Sequence, residues 1–438
     1  MKRLVCLALC LIICALSFSG CNFMLGETDS LLRSPEPQGE LGEISDALKS
    51  AVDKKFILKT PKSGEWRTAF VMKDIDGDET DEALAFYATV TDDGSDLHLS
   101  VINDEKGDWK VQSDFILGGT DIERIEFGDL NGDGAAEVAV AWSIYGAPET
   151  RLTVLSPSNE ENFTMYEGSY TDFCIFDAAP SAGDELLLLT TDIHDKTTRC
   201  SMFYGEEKLL ESGSVALSGS VASVKKFHTT EIAGTPALLI DAMTPEGGYF
   251  TEIVTINGNT LTTPLSVGGG KANVITGRYQ PLNCGDVNGD KTPEIPCMTV
   301  LPNGGSSDGT LYLTEWKSYK EGKLVTAEKS VVSKLMQYKI KVDPDWQGRF
   351  TCVYSGENDG LDLYTYGAKK GLGKKILSLW AVPKNNLKKS EDKDAFIIEE
   401  NDKTVYLGKI HIKDNALSIT ETSVKAAFSQ KITEGTEE

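Results

Sequence analysis

The chain has 438 residues, enough for a large core, and its apolar (40%) and charged (25%) fractions place it among ordinary soluble globular proteins. With 43 Lys+Arg against 67 Asp+Glu the net charge is −24. That excludes nucleic acid as a natural partner, since such binding rests on basic residues neutralising phosphates.

Residues 1–20 read as a targeting segment. Met1-Lys2-Arg3 is a basic start, and Leu4 to Leu16 is an apolar run too short for a stable membrane span. It ends in Phe18-Ser19-Gly20-Cys21, which resembles the lipobox of bacterial lipoproteins, with Phe18 where that family usually has Leu. The resemblance implies cleavage before Cys21, lipidation of Cys21, and a membrane partner held through that lipid anchor at the extracytoplasmic face of a bacterial cell membrane. A simple signal peptide or an uncleaved anchor is the alternative. Residues 21–54 then form a tether and one short helix. The stretch 22–42 mixes Gly, Pro, Ser and Glu without apolar periodicity, whereas Ile44, Leu48 and Val52 recur at i, i+4 and i+8.

Of the nine cysteines, Cys6, Cys10 and Cys14 lie in the targeting segment, and five follow Cys21: Cys174, Cys200, Cys284, Cys297 and Cys352. An odd number without zinc-type spacing implies neither a complete disulfide framework nor a metal site. Most sit among apolar strand residues, where cysteine behaves as a small hydrophobe. Cys284 and Cys297 have a spacing compatible with a pair.

From 55 to 335 the period is that of strands. Thr68–Lys73 leads into an acidic stretch, Glu82–Val90 leaves it, and Asp96–Val101 and Trp109–Ile116 follow. The acidic stretch, Asp74–Glu82 (DIDGDETDE), returns at Asp129–Glu137 (DLNGDGAAE) and Asp286–Glu294 (DVNGDKTPE). Every copy has Asp at position one, Asp or Asn at three, Gly at four, Asp at five and Glu at nine. Oxygen donors at this spacing in one tight loop suit a hard cation such as calcium. A second unit runs Ile122–Phe127, Val138–Ile144, Arg151–Leu155, Phe163–Tyr166. A third keeps Asp177 and Glu185 but has Ala179 and Ser181 between them. A fourth, Val224–Phe227 and Leu238–Ile240, has a degenerate loop at Thr229–Ala237 that keeps Glu231 alone.

Loop starts at 74, 129, 177, 229 and 286 give a period near fifty residues with about four strands per repeat. The fold class is therefore expected to be all-β, a β-propeller of four-stranded antiparallel blades with five readable units. The loops resemble those of FG-GAP/VCBS propeller repeats, the family that includes integrin α-subunit heads. The resemblance implies three calcium sites: Asp74, Asp76, Asp78 and Glu82; Asp129, Asn131, Asp133 and Glu137; Asp286, Asn288, Asp290 and Glu294. It adds the backbone carbonyl of position seven in each (Thr80, Ala135, Thr292). Family loops usually carry Gly at position six. Here Gly134 does, while Glu79 and Lys291 must adopt the turn at some conformational cost.

Residues 336–438 read either as two more blades, bringing the count to seven, or as a small α+β domain. Tyr338–Val342, Ile376–Val382 and Thr404–Ile412 look like strands, Asn385–Asp394 like a polar insertion and Ser423–Gln430 like a helix. In the seven-blade reading Phe56–Lys59 closes the last blade.

Enzymatic signatures are lacking. His98 and His411 alternate with apolar neighbours and are expected to face solvent, His194 sits in a polar turn, and His228 suits packing or capping. No nucleophile elbow, HExxH helix or phosphate loop occurs. Trp66, Trp109, Trp142, Trp316, Trp346 and Trp380 are expected to pack in the core or at blade edges. The expectation is a calcium-stabilised, membrane-anchored propeller acting as a non-catalytic binding or scaffolding module for a protein or carbohydrate ligand. The alternatives are a carbohydrate-active or other hydrolytic enzyme using acids in the funnel, and a sensor or accessory subunit of an envelope complex.

Overall fold

The structure, a computed structural model, describes residues 38–432 apart from 92–93, 148–149, 158–162, 179–182, 307–308, 356–359, 390–391 and 414–416. Cys21, the targeting segment and the tether up to residue 37 lie outside the described residues, as do Ala179 and Ser181. By contacts the chain falls into two units. One holds residues through Lys59 with Thr68–Lys73 and Asp81–Ile116; the other holds Thr60–Arg67, Asp74–Thr80 and everything from Leu117 onward.

In the first unit the helix Glu40–Ala51 buries Ile44 and Leu48 completely, as their spacing predicts. Its sheet has the strands Glu82–Thr91, Gly94–Asp104 and Trp109–Leu117 in sequence order. Two short strands share one edge of Glu82–Thr91: Phe70–Lys73 pairs with its first half and Phe56–Leu58 with Tyr87–Thr89. This corrects the blade-closing role expected of Phe56–Lys59.

The second unit contains five further sheets, all antiparallel. Three are plain four-stranded meanders, which begin at Asp121, Asp172 and Ser223. The inner strand of each is a continuous apolar run rather than an alternating one. Val138–Ala141, Leu186–Leu189 and Ala237–Ile240 are 0–3% exposed, so both sheet faces are covered, as stacked sheets require. One apolar cluster joins Leu187, Leu189 and Cys200 to Leu238, Ile253 and Cys284, and thus binds the third sheet to the fourth. The fold is an all-β propeller built from antiparallel sheets of four or five strands.

Two repeats depart from the sequence expectations. In the fourth sheet Thr229–Ala237 is not a loop. The strand Ser223–Ile232 runs on and turns at Ala233-Gly234 (φ 52° and 76°) into Thr235–Met243, with Ile232 opposite Thr235. Without acidic side chains to organise a longer turn, the strands pair to their ends and close in the left-handed two-residue geometry that matches strand twist.

Beyond residue 335 the strands continue, though not as two blades. Tyr338–Lys341 completes the fifth sheet, after Ile295–Ser306, Gly309–Lys320 and Lys323–Ser333, and Phe428–Ser429 adds a short edge. Residues 350–410 make one sixth sheet whose last strand in sequence, Thr404–Ile410, lies inside Phe396–Glu400. The expected C-terminal helix is present as Glu421–Ala427, closed by a capping box between Thr420 and Ser423. The five cysteines after Cys21 are all free and buried.

Ala233 holds a left-handed conformation that its Cβ disfavours by about 1 kcal/mol. Ala233→Asn creates the Asn-Gly pair preferred in such turns and is expected to stabilise the protein by roughly 0.5–1 kcal/mol. Chemical denaturation measures it, and a loss of stability would contradict the turn assignment.

Candidate metal centre

The three acidic loops fold by one hydrogen-bond pattern, written by the position of each residue. In the second sheet's loop Asp129 Oδ1 accepts the N–H of Gly132 (2.7 Å) and Asp133 (3.1 Å), and Asp129 Oδ2 that of Gly134 (3.1 Å). Asn131 Oδ1 accepts Asp133 N–H (2.9 Å), and Asp133 Oδ1 accepts Ala135 N–H (2.8 Å). The loop before the fifth sheet repeats this. Asp286 takes Gly289 and Lys291, Asn288 takes Asp290, and Asp290 takes Thr292. In the first loop Asp74 takes Gly77 and Glu79, Asp76 takes Asp78, and Asp78 takes Thr80 together with its hydroxyl. Those two bonds hold the Asp78 carboxyl below its ordinary range.

The backbone strain falls where the sequence requires it. Position four is glycine at φ 78° to 81° in every loop, and a Cβ on Gly77 would stand 3.0 Å from Gly134 O. Position six is equally left-handed, in Glu79 (φ 71°), Gly134 (φ 91°) and Lys291 (φ 66°). Two non-glycine residues thus accept a conformation costing about 1 kcal/mol each.

Position nine does something that its place in the motif did not announce. Glu137 and Glu294 are fully buried, and each accepts the N–H of position two: Leu130 at 2.8 Å and Val287 at 3.1 Å. The second oxygen accepts from the position-three amide (Asn131 at 3.1 Å, Asn288 at 3.0 Å) and from a hydroxyl on the neighbouring strand, Ser156 or Ser318. Glu185 makes the same bond to Ala178 N–H (2.9 Å) in a loop with no carboxylate at positions three and five. The glutamate is therefore first a hinge pin that closes the loop. Burial pushes Glu137 up to about 7, against the pull of its Leu130 and Ser156 bonds. Burial raises Glu294 and Glu185 likewise. Glu82 opens its strand and is also buried.

Loops are joined to one another. Ala136 N–H, at position eight of the second sheet's loop, donates to Ile75 O of the first at 2.9 Å. Asp184 N–H, at the same position one repeat later, donates to Asp129 O at 2.6 Å, while Asp129 N–H returns a bond to Asp184 Oδ2.

The donor set fits a hard divalent cation. In the first loop oxygens of Asp74, Asp76 and Asp78 lie within 4.8 Å of one another, and all-oxygen coordination is what calcium takes. In the other two loops an asparagine amide donates to the position-five and position-nine carboxylates, which offsets part of their repulsion. The first loop has Asp76 there instead, so its three carboxylates have the greatest need of a cation.

Trp109, Trp142, Trp316, Trp346 and Trp380 are buried, and Trp66 packs edge-on against Phe127. His194 and His411 are exposed. His98 is not: it is 8% exposed, stacked on Tyr87 and bonded to Asp114 (2.8 Å) and Thr89 (3.1 Å). Strand alternation assigned it to solvent, but both faces of that strand are covered.

Sequence reasoning missed a cavity of about 620 Å³ lined by Asp177, Thr229, Thr230, Glu231, Asp290 and Lys291. It also missed a buried cluster under the long connector between the fourth and fifth sheets. There Asp241, 0% exposed, faces His228, Thr251, Arg278 and Cys284. These residues span 56 positions in the chain and have no motif spacing.

No family model and no curated protein matches this sequence. Among solved structures it is similar to β-propellers. The exo-beta-1,3-galactanase from Phanerochaete chrysosporium with beta-1,3-galactotriose is 10% identical, with 75% of this chain and 81% of that chain covered and a TM-score of 0.27. The β-propeller domain of the Trilobed protease from Pyrococcus furiosus is 8% identical, covering 70% and 94%, at a TM-score of 0.26. The Dos1 propeller is 8% identical, covering 82% of each, at 0.28. Likeness this distant transfers no residue role.

Because the folded-state value of Glu137, about 7, lies above its ordinary 4.5, the folded protein binds that proton more tightly than the unfolded chain. Its contribution is favourable at low pH and is lost as pH rises through this interval. In calcium-free buffer the melting temperature of the wild type is expected to fall further between pH 5 and pH 7.5 than that of Glu137→Gln. Parallel profiles would show that Glu137 does not carry the effect.

Proposed function

We propose that this protein is a calcium-stabilised propeller serving as a non-catalytic binding or scaffolding module, held by lipidated Cys21 at the extracytoplasmic face of a bacterial cell membrane. The observation that carries the calcium reading is the common geometry of the three loops, in which Asp or Asn side chains at positions one, three and five each take backbone N–H bonds on one side of the turn. Calcium bound by Asp74, Asp76 and Asp78, and at the corresponding residues of the other loops, would neutralise the carboxylates that the backbone has gathered. Its role is structural, because the first and second loops are joined by a backbone bond and each loop sets the angle at which two strands meet.

The binding reading is supported by how the buried carboxylates are used. Asp241 is engaged by Arg278, Glu252 by Ser218, Glu328 by Lys339 and Asp362 by Lys375 and Ser378. Each is tied to a local donor rather than to a second carboxylate across an open space, the arrangement that glycoside hydrolysis needs. The cavity at the loop end of the third to fifth sheets offers a ligand a place instead. It exists because the fourth repeat ends in a two-residue turn between two longer loops. Its hydroxyls and carboxylates suit a polar ligand such as a saccharide or a peptide, and its volume is that of a small-molecule site.

Thermal melts in millimolar calcium and in chelator test the metal. A higher melting temperature in calcium is expected, with a smaller gain in Asp78→Asn; identical melts would sink the proposal. Radiolabelled fatty acid should enter the wild type and not Cys21→Ala, and undiminished label in the variant would refute the anchor.

A further inference from the structure

We propose that His228, Asp241 and Cys284 form a zinc site, distinct from the calcium loops, which pins the connector between the fourth and fifth sheets to the fourth sheet. The three residues come from three separate segments. His228 lies on the strand Ser223–Ile232, Asp241 on Thr235–Met243, and Cys284 at the end of the connector. One imidazole nitrogen, one carboxylate oxygen and one thiol sulfur lie within 4.8 Å of one another. The side chains of His228 and Asp241 are 10% and 1% exposed, and Cys284 is 0% exposed. His228 Nε2 is 2.9 Å from Asp241 Oδ2, and Cys284 Sγ is 3.3 Å from Asp241 Oδ1.

The charge balance makes the cluster more than a satisfied polar knot. Arg278 Nη2 reaches Asp241 Oδ1 at 2.7 Å, and its side chain is 1% exposed. It therefore balances the aspartate by itself, and it also donates to Thr251 Oγ1 and Leu282 O. Thr251 Oγ1 adds a bond at 2.6 Å and Cys284 N–H another at 2.6 Å. Asp241 thus has three donors besides the imidazole and the thiol. A thiol is a weak donor, so its hydrogen bond is a poor reason to hold it against a carboxylate. As metal ligands the two make sense together. Nitrogen, oxygen and sulfur donors in one small buried site match the borderline-soft preference of zinc and not that of calcium. Arg278 and Thr251 then hold the Asp241 carboxylate in place through Oδ1, as outer partners do in zinc sites.

Zinc binding balances simply. The thiol proton of Cys284 leaves to solvent as the zinc–sulfur bond forms. The imidazole proton moves from Nε2 to Nδ1, so that the Nε2 lone pair faces the metal. No oxidant or reductant is involved.

Cobalt(II) is the probe, because a thiolate ligand gives it a charge-transfer absorption that oxygen-only loops cannot. Purified protein, stripped of transition metals and kept in saturating calcium, is titrated with cobalt and then with zinc. The expected result is a thiolate-to-cobalt band that saturates at one equivalent and disappears on adding zinc. Cys284→Ser should abolish the band, and Cys297→Ser, another buried thiol of the same core cluster, should keep it. If Cys284→Ser does not fold, His228→Gln, which can still donate to Asp241, should weaken cobalt binding by more than about tenfold, since even changes to outer partners cost that much. Absence of the band in the wild type, or its persistence in Cys284→Ser, overturns the site and leaves the cluster a hydrogen-bonded knot around Asp241.

Discussion

Three of the loops are closed by one bond, from the backbone N–H of the second residue to the buried glutamate at the ninth. Glu137, Glu185 and Glu294 all make it, and the glutamate is the first residue of the strand leaving the loop or, for Glu294, the residue just before it. Such a contact converts an open turn into a closed one. The chain must come back far enough for the second amide to reach the ninth side chain, and the hairpin is then fixed at that length. An unpaired carboxylate would not survive burial there. The fourth repeat lacks a glutamate at this place, and its strands zip to a two-residue turn. The difference between a metal-type loop and a plain hairpin thus rests on the glutamate before it rests on the aspartates.

This ordering separates two roles that share one motif. The third repeat keeps Asp177 and Glu185 and the closing bond, although positions three and five carry no carboxylate. Glu185 closes on Ala178 N–H as Glu137 does on Leu130 N–H, and Asp184 N–H donates to the loop before it. Closure therefore does not need the full ligand set. The aspartates add a second layer. Their oxygens organise the backbone amides of the turn, and in doing so gather negative charge that a cation would relieve. Where asparagine stands at position three, its amide does part of that work.

Polar groups elsewhere follow the same logic of local satisfaction. Asp241 is fully buried in the fourth sheet, and burial alone would raise it. The His228 bond and the Arg278 charge instead hold it down, at about 2. Arg278 comes from a connector with only short helical turns, Pro264–Ser266 and Ala272–Ile275, and is 3% exposed. The ion pair thus adds to the apolar packing of Leu265, Ala272 and Cys284, which also ties the connector to the core. His98, buried against Tyr87 and Asp114 in the first sheet, is a smaller case of an interior position reached by a polar side chain with every ring nitrogen bonded.

What the sequence determined by itself is the periodic part. The spacing of Asp74, Asp129, Asp177 and Asp286, with apolar runs after each loop, fixes strand order, loop placement and the propeller class, because these follow from local turn chemistry and from residues close in the chain. It also located the strain at Glu79 and Lys291, since a motif position states its backbone conformation. Tertiary structure decided the rest. His98 could not be placed from alternation because a strand covered on both faces has no solvent side. The last repeats could not be counted because Tyr338–Lys341 is claimed by the preceding sheet and Thr404–Ile410 enters its sheet out of order, choices set by pairing energy between distant segments. The Asp241 cluster was invisible for the same reason: its members meet only when strands and connector are packed, and burial alone gives their charges consequence.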